Sequence, residues 1–148
     1  MDSASHLSFA PITDDDVTKV IALWERCGLT RPWNDPVADI ALARRSPDAT
    51  VLVGRVAGQI VGSVMVGHDG HRGWVYYVSV DPNHRGSGHG RAVMTAAEDW
   101  LRERGVPKLQ LLVRRANAKV HAFYETLDYA EQETIVFGKW LDGRNPTP

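Results

Sequence analysis

The stretch from Val78 to Arg91 reads VSVDPNHRGSGHGR, and it decides how the chain is interpreted. It begins as an apolar strand, passes through a loop with glycine at alternate positions, and ends where a helix begins. Glycine lets a backbone approach a ligand closely and adopt conformations that a side chain forbids. Amide groups of such a loop, together with the positive end of the following helix, favour a bound phosphate or pyrophosphate. Arg85 and Arg91 add positive charge at its edges.

Two nucleotide-binding motifs do not fit this loop. A P-loop requires lysine followed by serine or threonine, and neither dipeptide follows here. A dinucleotide fingerprint requires the spacing GxGxxG, whereas the glycines stand at 86, 88 and 90. Taken alone, the loop is also compatible with a plain strand–helix turn whose glycines serve only geometry.

Apolar periodicity on either side predicts strands and helices in the order β-α-α-β-β-β-α-β-α-β. Thr13 and Asp16 form a capping box, and Ala57-Gly58 reads as a hairpin turn. Strands are predicted at 7–10, 50–56, 59–68, 74–80, 108–113 and 131–140, and helices at about 14–27, 35–45, 90–104 and 118–127. We expect one α/β (α+β) domain over residues 1–148, with a mixed sheet covered by helices on both faces and a frayed tail at 143–148.

Composition excludes several classes of protein. Among 148 residues, 17 basic and 18 acidic side chains leave a net charge of −1, which argues against a nucleic-acid binder. A single cysteine, Cys27, excludes an intramolecular disulfide. We see no signal peptide and no apolar run long enough for a membrane span, so we expect a soluble, cytoplasmic protein without membrane partners. Two histidine pairs lack a third ligand at the usual spacing, so we expect no metal; they are His68 with His71 and His84 with His89.

Two motifs together resemble those of the Gcn5-related N-acetyltransferase (GNAT) family. The segment Arg85–Gly90 matches the pattern R/Q-x-x-G-x-G/A, and Asn117–Leu127 matches N-x(5)-F-Y-x-x-L. The stretch Gly67–Tyr77 is similar to a YpeA-like bacterial subgroup of this family. The resemblance implies the GNAT fold, with a mixed, mostly antiparallel sheet whose strands 4 and 5 splay apart. Asp128 stands where relatives usually have glycine, and the left-handed turn conformation expected there tolerates aspartate better than most residues.

The resemblance also implies the chemistry: acetyl-CoA as cosubstrate, no metal, and direct transfer to an amine of a small molecule or a protein N-terminus. It assigns cofactor binding to Val78, Ser79, Val80, Arg85, Gly86, Ser87, Gly88, His89, Gly90, Arg91 and Asn117. The Val78 N–H would face the thioester oxygen, and Tyr124 would protonate the CoA thiolate. Reference pKa values of about 10 and about 8.5 make that proton transfer uphill by roughly 2 kcal/mol.

Several alternatives stay open at this point. The predicted strands 74–80 and 108–113 contain no carboxylate, so no general base stands out among His68, Asp69, His71, Ser79 and Gln110. A non-catalytic acyl-CoA-binding sensor is the competing function. The acceptor amine is not identified, and the chain could act as a monomer or a homodimer.

Overall fold

The computed structural model describes residues 6–144, and its contacts divide the chain after Leu112 into two compact units. The strands are β1 (Ser8–Pro11), β2 (Ala49–Val56), β3 (Gln59–His68), β4 (Gly73–Val80) and β5 (Leu109–Gln110). The helices are α1 (Val17–Arg26), α2 (Pro36–Arg45), α3 (His89–Glu103) and α4 (Ala118–Thr126). Single 3-10 turns occupy Asp14–Asp16 and Pro82–His84. The expectation of one domain over the whole chain stays a prediction.

The first unit is built on a five-stranded sheet in the order β1-β2-β3-β4-β5. Strands β1 to β4 pair antiparallel, whereas β4 and β5 run parallel. The β4–β5 register contains only Gly73 opposite Leu109 and Trp74 opposite Gln110. Among the described residues of this unit, β4 therefore has no strand partner on its β5 side from residue 75 to residue 80. The predicted mixed, mostly antiparallel sheet is confirmed.

The β2–β3 hairpin follows from its two turn residues. Val56 pairs with Gln59, and the residues between them, Ala57 and Gly58, have φ values of 50° and 81°. Positive φ at both central positions is the signature of the type I′ turn, whose twist matches that of paired strands. The predicted hairpin is confirmed.

Helices cover both faces of the sheet. Val51 and Val53 pack in one buried cluster with Trp24 of α1 and Ile40 of α2. Side chains alternate between faces along a strand, so Leu52 points the other way, where it lines a groove beside α3. Apolar spacing in α3 predicts four core positions, of which Val93, Ala97 and Leu101 are buried, whereas Trp100 is only partly buried. These contacts place the glycine loop at the start of a helix that is packed firmly on the sheet.

Gly73 marks a close approach of α3 to β4. A Cβ atom at this position would lie 2.5 Å from the Leu101 Cδ1 atom. We expect Gly73→Ala to lower the free energy of unfolding by about 1–3 kcal/mol, because the added methyl group overpacks the contact. Urea unfolding measures this change. The variant Leu101→Val serves as the partner in a double-mutant cycle, and strictly additive effects of the two substitutions would contradict a steric cause.

Three element boundaries differ from the sequence prediction. The Thr13–Asp16 capping box is present, but it opens a 3-10 turn, and the α-helix begins only at Val17. The strand expected at 108–113 is reduced to Leu109–Gln110. The strand predicted at 131–140 is wrong, since these residues form none among the described residues. A strand requires a neighbour for its backbone hydrogen bonds, and alternating apolar residues supply only the propensity.

The second unit contains α4 and the segment that follows it. Asp128, just after the helix, has a φ of 69°, so the position predicted to need a left-handed conformation has one. Further along, Ile135, Val136 and Phe137 are exposed, with Phe137 reaching 89%. In the part of the chain that the structure describes, no helix has both the length and the apolar character needed to cross a membrane.

Candidate active site

The start of the glycine loop is fixed by Asp81, the residue that follows β4. Its Oδ1 atom accepts a hydrogen bond from the Asn83 N–H at 2.9 Å, and its Oδ2 atom accepts one from Arg26 at 2.9 Å. Its own N–H continues the sheet by donating to the Val61 carbonyl at 2.7 Å. The Asn83 amide and the Arg26 guanidinium hold the pKa of Asp81 below its usual value, although burial opposes ionisation. The last residue of α1 therefore helps to anchor the loop.

This anchor gives a pH dependence of stability. Because the folded-state pKa of Asp81 is lowered, its carboxylate stabilises the fold above the ordinary aspartate pKa of about 3.9. That contribution is lost as the pH falls through the lower folded-state value. We expect Asp81→Asn to be less stable than wild type at pH 7, with the difference shrinking below about pH 4.

Thermal unfolding between pH 7 and pH 3 tests this expectation. Asp14→Asn is the matched control, because Asp14 forms an ion pair with Arg44 while its side chain is 93% exposed. A stability difference for Asp81→Asn that stays constant over the whole pH range would contradict the role of ionised Asp81.

The loop itself uses two of its three glycines for backbone freedom. Gly86 and Gly88 have φ values of 86° and 77°, in the left-handed region. A Cβ atom at either position would meet no protein atom within 4 Å, so it would stand in open space in front of the loop. Gly90 instead lies in the first turn of α3. The backbone at 86 and 88 is thus open to close approach by a ligand.

The N-terminus of α3 adds donors and charge to this loop. The first helical hydrogen bond runs from the Ala92 N–H to the Gly88 carbonyl at 3.1 Å, so the amides at positions 89–91 precede it. Residues 82–91 include two arginines and no carboxylate. Residues Arg85, Gly86, Ser87, Gly88 and Arg91 are exposed, whereas the His89 side chain is buried. The buried His84 Nδ1 atom has no hydrogen-bond partner among the described residues. Exposed loop residues, two arginines and the lack of a carboxylate within residues 82–91 fit a diphosphate.

Strand β4 carries a bulge next to this loop. Ser79 pairs with Ser63 and Tyr76 pairs with Met65, so the single residue Val64 stands opposite both Tyr77 and Val78. Tyr77 has a φ of 55°, which is unusual for a residue with a side chain. A bulge leaves its extra residue outside the regular ladder and redirects the local backbone. The strand is therefore irregular at Val78, whose N–H is predicted to face the thioester oxygen.

The two residues after the bulge are held by structural contacts. The buried Ser79 hydroxyl donates to the Ser63 carbonyl at 3.1 Å. The Val80 carbonyl accepts a hydrogen bond from the Cys27 thiol at 3.2 Å. Neither Ser79 nor Cys27 is therefore presented as a nucleophile, and the strand offers its backbone instead.

The Tyr77 side chain contacts one residue of α1 and one residue of α2. Its ring stacks on Trp24 with a centroid separation of 3.9 Å and an interplanar angle of 3°. Its hydroxyl donates to the Asp39 Oδ2 atom at 2.6 Å. Burial, and then the charge of Asp39, raise the pKa of Tyr77, so the phenol stays protonated. No local motif predicts the contacts among Trp24, Asp39 and Tyr77, because these residues lie far apart in the chain.

Two of the candidate general bases, Asp69 and His68, accept hydrogen bonds within the β3–β4 turn. Asp69 accepts hydrogen bonds from the amides of His71 and Arg72 and from the Trp74 indole, at 2.8–3.2 Å. The His68 Nδ1 atom accepts one from the Gly70 N–H at 3.1 Å. Asp69 and His68 are thus explained by the geometry of the β3–β4 turn. These contacts assign no general base.

The second unit carries the other two predicted site residues. The Asn117 Oδ1 atom accepts from the Val120 N–H at 3.4 Å and caps α4. Tyr124 contacts the rings of Phe123 and Tyr129 edge to face, with centroid separations of 5.0 and 5.7 Å. Burial raises the pKa of Tyr124 to about 12. Proton transfer from this phenol to a thiolate of pKa about 8.5 is therefore uphill by about 5 kcal/mol, more than the reference value implied.

Metal-binding geometry is not found in the described part of the chain. Residues 6–144 contain no group of three or more histidine, cysteine, aspartate and glutamate side chains that could hold a metal ion.

Comparison with known proteins identifies the class. The sequence model of the acetyltransferase (GNAT) family matches residues 18–129, and the chain belongs to this family. An acetyltransferase of Yersinia pestis (strain Pestoides F) is 50% identical over 127 residues, which cover 86% of this chain and 90% of that protein. The family resemblance is therefore confirmed, and the chain is an acetyltransferase.

Solved structures show the same fold. The structure of AAC(6')-Iy in complex with the bisubstrate analogue CoA-S-monomethyl-acetylneamine has a TM-score of 0.77 at 14% identity, covering 91% of this chain and 98% of that one. The ribosomal-protein-alanine N-acetyltransferase from Brucella melitensis biovar Abortus 2308 has a TM-score of 0.71 at 23% identity, covering 90% and 99%. At these identities the likeness supports the fold alone.

Proposed function

We propose that this chain transfers the acetyl group of acetyl-CoA directly to an amine of a small molecule or of a protein N-terminus. The glycine loop is the observation that carries the proposal. It combines two exposed glycines of positive φ, the first amides of α3 and two arginines, and residues 82–91 contain no carboxylate. Such a loop binds a diphosphate through its main chain. Membership of the GNAT family, which uses acetyl-CoA, supports the same donor.

The donor would lie along β4 and the loop. Backbone amides from Gly86 to Arg91 would bind the diphosphate, and the segment Val78–Val80 would hold the pantetheine arm as an added strand would. Asn117 would contact that arm or the neighbouring phosphate. The unpaired β5 side of β4 supports this placement, because strand backbone without a ladder partner can accept one.

The chain's own groups account for the chemistry. Acetyl-CoA supplies an activated thioester carbonyl when it is bound. The Val78 N–H would stabilise the negative charge that develops on the carbonyl oxygen during attack by the amine. Tyr124, protonated at any working pH, would supply a proton to the departing thiolate. Cys27 takes no part, since its thiol is bound to the Val80 carbonyl.

The acceptor is proposed only as a class. One protein with this fold was solved in complex with the bisubstrate analogue CoA-S-monomethyl-acetylneamine, and another is a ribosomal-protein-alanine N-acetyltransferase. An α-amine of pKa about 8 loses its proton more readily than a lysine of pKa about 10.4. Because no carboxylate lies on β4 or β5, we favour an acceptor of low pKa that is deprotonated through water.

Two measurements test the proposal. Calorimetry with acetyl-CoA should show saturable binding, and a free-thiol assay should show CoA release with at least one member of a panel of small amines and peptides with free N-termini. Saturable binding without thiol release across the panel would favour the acyl-CoA sensor instead. No binding of acetyl-CoA would refute both functions.

A further inference from the structure

We propose that Tyr77 is a positioning residue for acetyl transfer: its side chain, held between Trp24 and Asp39, fixes the β4 bulge and thereby aims the Val78 N–H at the donor carbonyl. The inference rests on the proposed function, which assigns that N–H to the thioester oxygen. Tyr77 and Asp39 both lie outside the two motifs Arg85–Gly90 and Asn117–Leu127.

The positive φ of Tyr77 must be imposed by contacts with other residues. An aromatic residue with a φ of 55° occupies a conformation that an isolated chain avoids. Such conformations persist where the surrounding structure overdetermines them, and they are found at functional sites. Here the irregularity lies in β4, where the register against β3 shifts between Ser63 and Met65.

The Tyr77 side chain makes such contacts. Trp24 is fully buried, and its ring lies parallel to that of Tyr77 at 3.9 Å. Asp39 fixes the other end through the 2.6 Å hydrogen bond from the phenol, a bond to a charged acceptor and thus a strong one. Trp24 belongs to α1 and Asp39 to α2. The tyrosine is therefore tied to two different helices of the layer that covers this face.

The consequence for the reaction follows from covalent geometry. The N–H of Val78 belongs to the peptide unit between Tyr77 and Val78, so the backbone conformation of Tyr77 sets its direction. A donor that stabilises a developing oxyanion acts only when it is aimed at the position of that oxygen. Without the contacts to Trp24 and Asp39, residue 77 relaxes toward the extended region, and the Val78 N–H turns away from the donor carbonyl.

The test uses three variants of the full chain. Tyr77→Phe removes the hydroxyl and keeps the ring stack, Asp39→Ala removes the acceptor, and Asp39→Asn keeps an acceptor oxygen. We expect Tyr77→Phe and Asp39→Ala each to lower kcat by about tenfold or more, with the KM for acetyl-CoA changed by less than about threefold, because donor affinity comes mainly from the glycine loop. We expect Asp39→Asn to retain kcat within about threefold of wild type.

Controls separate positioning from general stability. Arg44→Gln breaks another contact of α2, its exposed ion pair with Asp14, and should leave kcat unchanged. The amide resonance of Val78 should shift in Tyr77→Phe and stay in place in Arg44→Gln. The double variant Tyr77→Phe/Asp39→Ala should lose no more activity than either single change, because both break the same bond.

Two results would overturn the positioning role. One is a kcat of Tyr77→Phe within twofold of wild type, and the other is a loss in Asp39→Asn as large as that in Asp39→Ala. Failure of the proposed function looks different, because wild type itself would then release no thiol, whether or not it binds acetyl-CoA. An active wild type with a fully active Tyr77→Phe variant refutes the positioning role alone.

Discussion

Gly88→Ala should weaken the binding of CoA about 100-fold, equivalent to about 2.7 kcal/mol. Gly88 has a φ of 77° and immediately precedes α3, where the first helical amides begin. An added methyl group would meet no protein atom within 4 Å, so it would project into the open space where we propose that the diphosphate binds. Alanine also disfavours positive φ, which would draw the loop away from its binding geometry. Isothermal titration calorimetry measures the loss.

Gly105→Ala is the matched control for this substitution. Gly105 lies just beyond the other end of α3, has a φ of 73°, and likewise has no atom within 4 Å of a Cβ position. The two variants should therefore lose similar stability, of order 1 kcal/mol, through the same backbone strain. Only Gly88→Ala should lose affinity for CoA. An equal loss of affinity in both variants would show that strain, rather than contact with the ligand, is responsible.

Tyr124→Phe should lower kcat about 100-fold with little change in the KM for acetyl-CoA, since general acids contribute about 10²–10⁴-fold. Phenylalanine keeps the edge-to-face contacts with Phe123 and Tyr129, so the loss would reflect the missing proton. Because the pKa of Tyr124 is raised to about 12, the phenol stays protonated below that pH. The ratio of wild-type to variant kcat should therefore be constant between pH 6 and pH 9, with steady-state kinetics as the measurement.

Tyr129→Phe provides the same chemical change in the same unit of the chain. We expect its kcat to stay within about twofold of wild type, because Tyr129 is not assigned to the reaction. If Tyr124→Phe also stays within threefold, then proton donation comes from another group, such as water.

The parts of the fold that the sequence predicted well are those whose causes are local. The hairpin turn at Ala57-Gly58, the capping box of Thr13 and Asp16 and the left-handed position at Asp128 each depend on a few adjacent residues. The apolar spacing of α3 likewise predicts which face of the helix is buried. The position of the glycine loop between a strand and a helix also belongs to this group, and its role in binding stays a prediction.

The predictions that failed depended on a partner strand. Residues 131–140 have the composition of a strand, yet they form none in the described part of the chain. The segment 108–113 forms only the two-residue β5. Strand propensity shows only that a segment can adopt an extended conformation. Whether it forms a strand depends on a neighbouring strand that accepts its backbone hydrogen bonds.

By itself the sequence determined the order of most elements, the family and the loop that would bind the donor, because each is written in residues close together along the chain. Tertiary structure alone decided that Tyr77 departs from regular strand geometry, that Trp24 and Asp39 hold it there, and that burial raises the pKa of Tyr124 to about 12. These features depend on distance and burial in three dimensions, and neither can be read from the spacing of residues in the chain.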